Sequence, residues 1–169
     1  MNTFQFIVLL FVSCLQMSLN CQAKISSGLC TPYFVSLKVS TANLRVGPGR
    51  YYKIVLKYVN KGLPVLITAK CDHWRRITDP DGTSGWLHKS QLSTKRYVII
   101  TKNNVPLMSS TRDSAKVLAT INKNVVMELK EIRGIWCKVH CRYNSKNFSG
   151  WVKKSDTFGT FDEELGNYR

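Results

Sequence analysis

The chain has 169 residues, of which 25 are Lys or Arg and 10 are Asp or Glu, so its formal net charge at pH 7 is +15. This charge favours anionic partners, such as cell-wall polymers, acidic lipid or nucleic acid, and disfavours cationic ones. An alternative interpretation is that the basic residues serve solubility and reflect the lysine bias of an AT-rich genome.

The N-terminal segment, residues 1–23, carries no charged side chain, because the first basic residue is Lys24 and the first acidic one is Asp72. A nearly uninterrupted apolar run extends from Phe4 to Val12. The pattern predicts a secretory signal peptide cleaved before Lys24, and therefore a protein exported to the periplasm or the extracellular space. The run is shorter than the roughly 20 apolar residues that span a bilayer. A retained membrane anchor is the alternative.

Short strands separated by turn residues follow a lead segment at residues 24–36, and they define a first unit at residues 37–93. Its predicted strands are Val35–Val39, Leu63–Ala69, Trp74–Thr78 and Gly85–His88. The last two flank Asp79-Pro80-Asp81-Gly82, which supplies the residues that a tight turn requires.

A second unit, residues 97–157, repeats this organisation after the short connection Thr94-Lys95-Arg96. Its predicted strands are Tyr97–Thr101, Val125–Lys130, Trp136–Cys141 and Gly150–Val152, with a loop at residues 142–149. The connection is too short to act as a free linker, so the two units are expected either to pack against each other or to form a semi-rigid pair. The polar tail, residues 158–169, is expected to be disordered.

The two units share a pattern of a tryptophan followed by Gly-Trp. Trp74 precedes Gly85-Trp86, and at an offset of 62 residues Trp136 precedes Gly150-Trp151. Internal repetition of this kind indicates a duplicated module. A series of short strands in about 60 residues per unit suits a small β-barrel. The sequence thus predicts an all-β chain of two tandem small barrels.

Four segments of the first unit resemble, in order, the bacterial SH3-like domain family. They are Leu44-Arg45-Val46-Gly47-Pro48-Gly49, Lys61-Gly62-Leu63-Pro64-Val65, Trp74-Arg75-Arg76-Ile77 and Gly85-Trp86-Leu87-His88-Lys89-Ser90. The resemblance implies SH3-like barrels in an exported, non-catalytic protein that binds the cell wall or an envelope protein. Carried onto this sequence, it implies a ligand site at Arg45, Arg50, Tyr51, Tyr52, Trp74 and His88. In the second unit only Trp136, Val139, Gly150 and Trp151 match.

Aromatic and basic residues are close together from Arg50 to Tyr58, a stretch expected to be rich in loops, and no acidic residue lies between Ala23 and Asp72. Such a surface suits carboxylates, as in the stem peptides of peptidoglycan, with rings stacking on sugar or peptide faces. Peptidoglycan or its stem peptides are therefore the predicted ligand. The alternatives are docking of an envelope protein and weak electrostatic contact with an acidic membrane. Export argues against nucleic acid.

The remaining chemistry of the sequence favours neither catalysis nor a cofactor. No recognised nucleophile motif is present. Four cysteines follow the signal peptide, at Cys30, Cys71, Cys137 and Cys141, and their disulfide connectivity is left open. Cys137 and Cys141 are not expected to pair with each other, because four residues of strand separate their Cα atoms by about 13 Å. His140 would face away from both, so no metal site is predicted.

Overall fold

The structure, a computed structural model, describes residues 32–164. The predicted signal peptide and Cys30 lie outside this range. The prediction of an all-β chain is confirmed. Within the described range, fourteen strands form two antiparallel sheets of seven strands each, and the only helices are two short 3-10 helices. No helix in that part of the chain is long and apolar enough to span a membrane. Closure of each sheet into a barrel stays a prediction.

The first sheet is built from consecutive strands in the order β3-β2-β6-β5-β4-β1-β7. The strands are β1 (Tyr33–Leu37), β2 (Ala42–Arg45), β3 (Ile54–Tyr58), β4 (Pro64–Cys71), β5 (Trp74–Thr78), β6 (Ser84–His88) and β7 (Leu92–Ser93). A 3-10 helix, Lys89–Gln91, joins the last two. Buried aliphatic side chains that include Leu44, Ile67, Ile77 and Leu87 form the core of the first sheet.

The second sheet has the order β10-β9-β13-β12-β11-β8-β14, which is the order of the first sheet advanced by seven strands. The strands are β8 (Tyr97–Ile100), β9 (Val105–Met108), β10 (Val117–Ile121), β11 (Val126–Arg133), β12 (Trp136–Tyr143), β13 (Lys146–Lys153) and β14 (Thr157–Phe158). The 3-10 helix Lys154–Asp156 precedes β14. The core of the second sheet is a separate buried cluster that includes Leu107, Met127, Val139 and Val152.

The glycine of each Gly-Trp pair lies where two strands approach closely. A Cβ atom on Gly85 would lie 2.6 Å from Cγ of Leu44 and 2.9 Å from the carbonyl oxygen of Arg45. On Gly150, it would lie 2.7 Å from both Cγ of Leu107 and the carbonyl oxygen of Met108. Only glycine allows β2 to pack on β6, and β9 on β13, at these distances.

The C-terminal segment packs against the junction between the two sheets, so the expected disorder is wrong for residues 158–164. The ring of Phe34 contacts those of Phe158 and Phe161, at centroid distances of 5.1 and 4.7 Å. Arg96 donates to both carboxylate oxygens of Glu164 at 2.9 and 3.2 Å, with the side chains 15% and 10% exposed. A hydrophobic contact and a partly buried, bidentate ion pair together order this segment.

Two further expectations differ from the structure. The stretch from Arg50 to Tyr58 is only partly loop, because Ile54–Tyr58 forms the edge strand β3, and Tyr58 is buried. The predicted loop at residues 142–149 is mostly strand, since β12 and β13 pair as far as Tyr143 and Lys146. Both residues between them have positive φ angles, so a two-residue turn closes this hairpin.

Substitution of Gly85 by alanine tests the close approach of β2 and β6. We expect Gly85→Ala to lower the free energy of unfolding by about 1–3 kcal/mol, the usual cost of overpacking a core. Urea denaturation followed by tryptophan fluorescence measures this change. Thr83→Ala, at an exposed turn position two residues earlier, is the control and should change stability by less than about 0.5 kcal/mol. Equal urea midpoints for Gly85→Ala and the unsubstituted chain would contradict the packing argument.

Candidate functional site

A groove at one end of the β2, β5 and β6 strands brings together four of the six predicted site residues. Its volume is about 330 Å³. The lining residues are Asn43, Arg45, Arg50, Trp74, His88, Ser90 and Gln91. None of these lining residues is acidic. We refer to this site as the Trp74 groove, and it presents two guanidinium groups beside an indole ring.

Trp74 and His88 form one wall of the groove because the β5–β6 hairpin places them opposite each other. Trp74 begins β5, His88 ends β6, and the two are paired in register. Their rings meet edge to face, with centroids 5.4 Å apart and an interplanar angle of 81°. Both side chains are half-buried, which leaves aromatic surface available to a ligand.

The other wall is fixed by Arg45, the last residue of β2. Its Nη1 donates to the carbonyl oxygen of Tyr52 at 2.7 Å, which ties the guanidinium group to the loop that follows β2. The rings of Tyr51 and Tyr52 stack on each other with centroids 4.5 Å apart. They lie directly over Gly49 and Gly47, where added Cβ atoms would be 2.6 Å from ring carbons. The Gly-Pro-Gly motif therefore gives these tyrosines room to pack.

Tyr51 and Tyr52 are not among the residues that line the groove. Tyr51 is 85% exposed beside it, whereas Tyr52 is half-buried and contributes its backbone carbonyl to the position of Arg45. A direct ligand contact of either tyrosine stays a prediction. The structure also places Tyr52 as a support for the loop that carries Arg50.

His88 is held in one orientation by Ser90, and its surroundings disfavour the charged ring. The backbone N–H of Ser90 donates to Nδ1 at 3.3 Å, and the Ser90 hydroxyl lies 2.7 Å from the same atom. Because Nδ1 accepts, the proton of the neutral ring is on Nε2. Burial lowers the pKa of His88 below its ordinary value of 6.5, and the nearby His73 and Arg50 lower it further.

Three polar residues of the groove escaped the sequence reasoning: Asn43, Ser90 and Gln91. Asn43 lies two residues before Arg45 on β2, and this spacing puts both side chains on the same face of a strand. That spacing was an available signal. Ser90 and Gln91 belong to the 3-10 helix after His88, and nothing in the residue types predicted that helix.

Comparison with known proteins identifies the segment that carries this groove. Residues 38–94 match the family model described as the bacterial SH3 domain. The predicted resemblance of the first unit to bacterial SH3-like domains is thereby confirmed. The matched segment includes every lining residue of the Trp74 groove and all six predicted site residues. A search of curated proteins found no match to the chain.

Solved structures with some likeness to the chain include an NlpC/P60 family protein from Bacillus cereus, which is 16% identical with a TM-score of 0.34. NlpC1 and NlpC2 from Trichomonas vaginalis are 10% and 9% identical, with TM-scores of 0.33 and 0.34. The matches cover 74%, 79% and 80% of this chain, respectively. The chain spans about half the length of these proteins, at 55%, 48% and 51%.

The protonation of His88 provides a direct test of the groove's electrostatics. In an NMR titration of the full chain, we expect His88 to have a pKa below 6.5. Arg50→Gln should raise this pKa, because it removes a neighbouring positive charge. Acetate bound in the groove should raise it too, so acetate should bind more tightly as the pH falls through the pKa of His88.

Lys61→Gln, which removes an exposed charge that does not line the groove, is the control and should leave the titration unchanged. A His88 that titrates at its ordinary value, or that titrates identically in Arg50→Gln, would contradict this arrangement.

Proposed function

We propose that this protein is an exported, non-catalytic binding protein that recognises peptidoglycan or its stem peptides through the Trp74 groove. The bacterial SH3 domain at residues 38–94 favours binding related to the cell wall. The observation that carries the proposal is that Arg45 and Arg50 line the same groove as the half-buried ring of Trp74. Export is supported by the uncharged N-terminal segment of the sequence.

The chemistry of the groove fits a ligand that has carboxylates on a compact peptide. Guanidinium groups bind carboxylates with two parallel hydrogen bonds, and such charge-assisted bonds are among the strongest. The guanidinium of Arg45 is already oriented by the carbonyl of Tyr52, so less conformational entropy is lost when a ligand binds. Trp74 and His88 offer flat faces for the peptide between its carboxylates.

Two of the three cysteines in residues 32–164, Cys137 and Cys141, support a non-catalytic role. Burial raises the pKa of Cys137 to about 11 and raises that of Cys141 as well. Both thiols are therefore protonated at neutral pH, whereas the thiolate is the form that acts as a nucleophile. Cys137 is also fully buried, so a substrate does not reach it.

Co-sedimentation of the full chain with purified peptidoglycan tests the proposal. We expect pelleting that persists at physiological salt, where exposed charges farther apart than about 8 Å are screened. Combined substitution Trp74→Ala and Arg50→Glu should reduce pelleting at least about tenfold, since it removes a stacking surface and reverses a charge that pairs with the ligand. Circular dichroism would check that the variant is folded.

Lys61→Glu is the charge-matched control, because it changes the net charge by the same amount at an exposed position outside the groove. It should pellet like the unsubstituted chain. If Lys61→Glu and the groove variant lose the same fraction of pelleted protein, or if salt alone abolishes pelleting, the binding is a nonspecific attraction to a polyanion. Absence of pelleting at any salt concentration would favour the alternative function, docking of an envelope protein.

A further inference from the structure

A second groove lies in the second sheet, outside the segment that matches the bacterial SH3 domain. Its volume is about 340 Å³. The lining residues are Pro106, Met108, Arg112, Asp113, Trp136, Lys153 and Asp156. We refer to it as the Trp136 groove.

Strand register places this groove at the position that corresponds to the Trp74 groove. Trp136 begins β12 and pairs with Lys153 of β13, as Trp74 pairs with His88. Met108 ends β9 and pairs with Trp151, as Arg45 pairs with Trp86. The 3-10 helix that follows each hairpin contributes its last residue, Asp156 or Gln91, to the lining. The location and the tryptophan are the same, whereas the surrounding side chains differ.

The charges of the two grooves differ in kind. The Trp74 groove has two arginines and no acidic lining residue among those described, whereas the Trp136 groove has Arg112 and Lys153 opposed by Asp113 and Asp156. Where the first groove has Arg45, the second has the thioether of Met108. A single carboxylate gains less from a balanced set of charges than from a purely cationic one.

The charged groups of the Trp136 groove are not equally available. Asp156 accepts from Nζ of Lys102 at 2.7 Å, which neutralises much of its charge. Nζ of Lys153 lies 5.8 Å from the centroid of the Trp136 ring, so the cation is beside the aromatic face. Arg112 and Asp113 are exposed on the turn after β9, and neither forms an ion pair within residues 32–164. The groove thus offers one carboxylate and two cations to a ligand.

We propose that the Trp136 groove binds a residue that carries both an ammonium group and a carboxylate, such as a diamino acid with a free carboxylate in a peptide. Asp113 pairs with the ammonium group, Arg112 and Lys153 pair with the carboxylate, and the aliphatic chain between them lies against Trp136 and Met108. This site and its ligand chemistry are separate from those of the Trp74 groove, and failure of either proposal leaves the other intact.

Three small probes that differ only in charge test the inference on the full chain. Nα-acetyl-lysine carries an ammonium group and a carboxylate, its C-terminal amide carries only the ammonium group, and Nα-acetyl-norleucine carries only the carboxylate. Binding is followed through the indole N–H signals in ¹H–¹⁵N NMR spectra, with the Trp136 signal assigned from Trp136→Phe. We expect Nα-acetyl-lysine to shift the Trp136 signal saturably, and each single-charge probe to bind at least about threefold more weakly, because one ion pair is lost.

Asp113→Asn tests whether the ligand's ammonium group pairs with Asp113 itself or only responds to the net charge of the protein. It should weaken binding of Nα-acetyl-lysine by about three- to fivefold, and it should not weaken binding of Nα-acetyl-norleucine, whose carboxylate gains from the loss of a nearby negative charge. The control Asp81→Asn removes an exposed turn carboxylate from the first sheet and should have no effect. Equal affinities for the three probes, an unchanged affinity in Asp113→Asn, a response of Trp74 in place of Trp136, or no saturable shift would each overturn the inference.

Discussion

The close approach of β2 to β6 at Gly85 is the constraint on which the rest of the molecule depends. With no side chain at this position, Leu44 lies directly on the backbone of β6, and Arg45 pairs with Trp86. This contact joins the β2–β3 ribbon to the β4–β5–β6 meander and brings the end of one next to the end of the other. The Trp74 groove is the space that remains between those two ends. Gly150 has the same role in the second sheet.

This arrangement separates the part of each sheet that maintains the fold from the part that determines ligand chemistry. The glycine contact, the aliphatic core and the tryptophan that begins β5 or β12 are shared by both sheets. The residues around that tryptophan differ between the two sheets, and they lie at strand ends, in turns and in the 3-10 helices. One groove is accordingly cationic, and the other combines both charges. The ligand chemistries proposed for the two grooves differ for this reason.

Sequence reasoning predicted the parts of the site that depend on local patterns. The strand Trp74–Thr78 has the predicted bounds, and the turn that follows it brings Trp74 and His88 together. Edge strand β3 was missed because its outward-facing residues are apolar and show no alternation: Ile54, Val55 and Leu56 are all exposed. The turn between β12 and β13 was missed since Ser145 adopts a positive φ of 62°, which its residue type does not predict. Tyr51 and Tyr52 stack on the glycines rather than line the groove, a tertiary contact that spacing alone does not reveal.

The most direct test of the central claim is a crystal structure of the full chain bound to a peptidoglycan stem peptide. The account predicts electron density for the peptide in the Trp74 groove, with a ligand carboxylate within hydrogen-bond distance of the guanidinium group of Arg45 or Arg50 and the peptide against the face of Trp74. A peptide located on another surface, such as the exposed face of β3, with the Trp74 groove open to solvent, would contradict it.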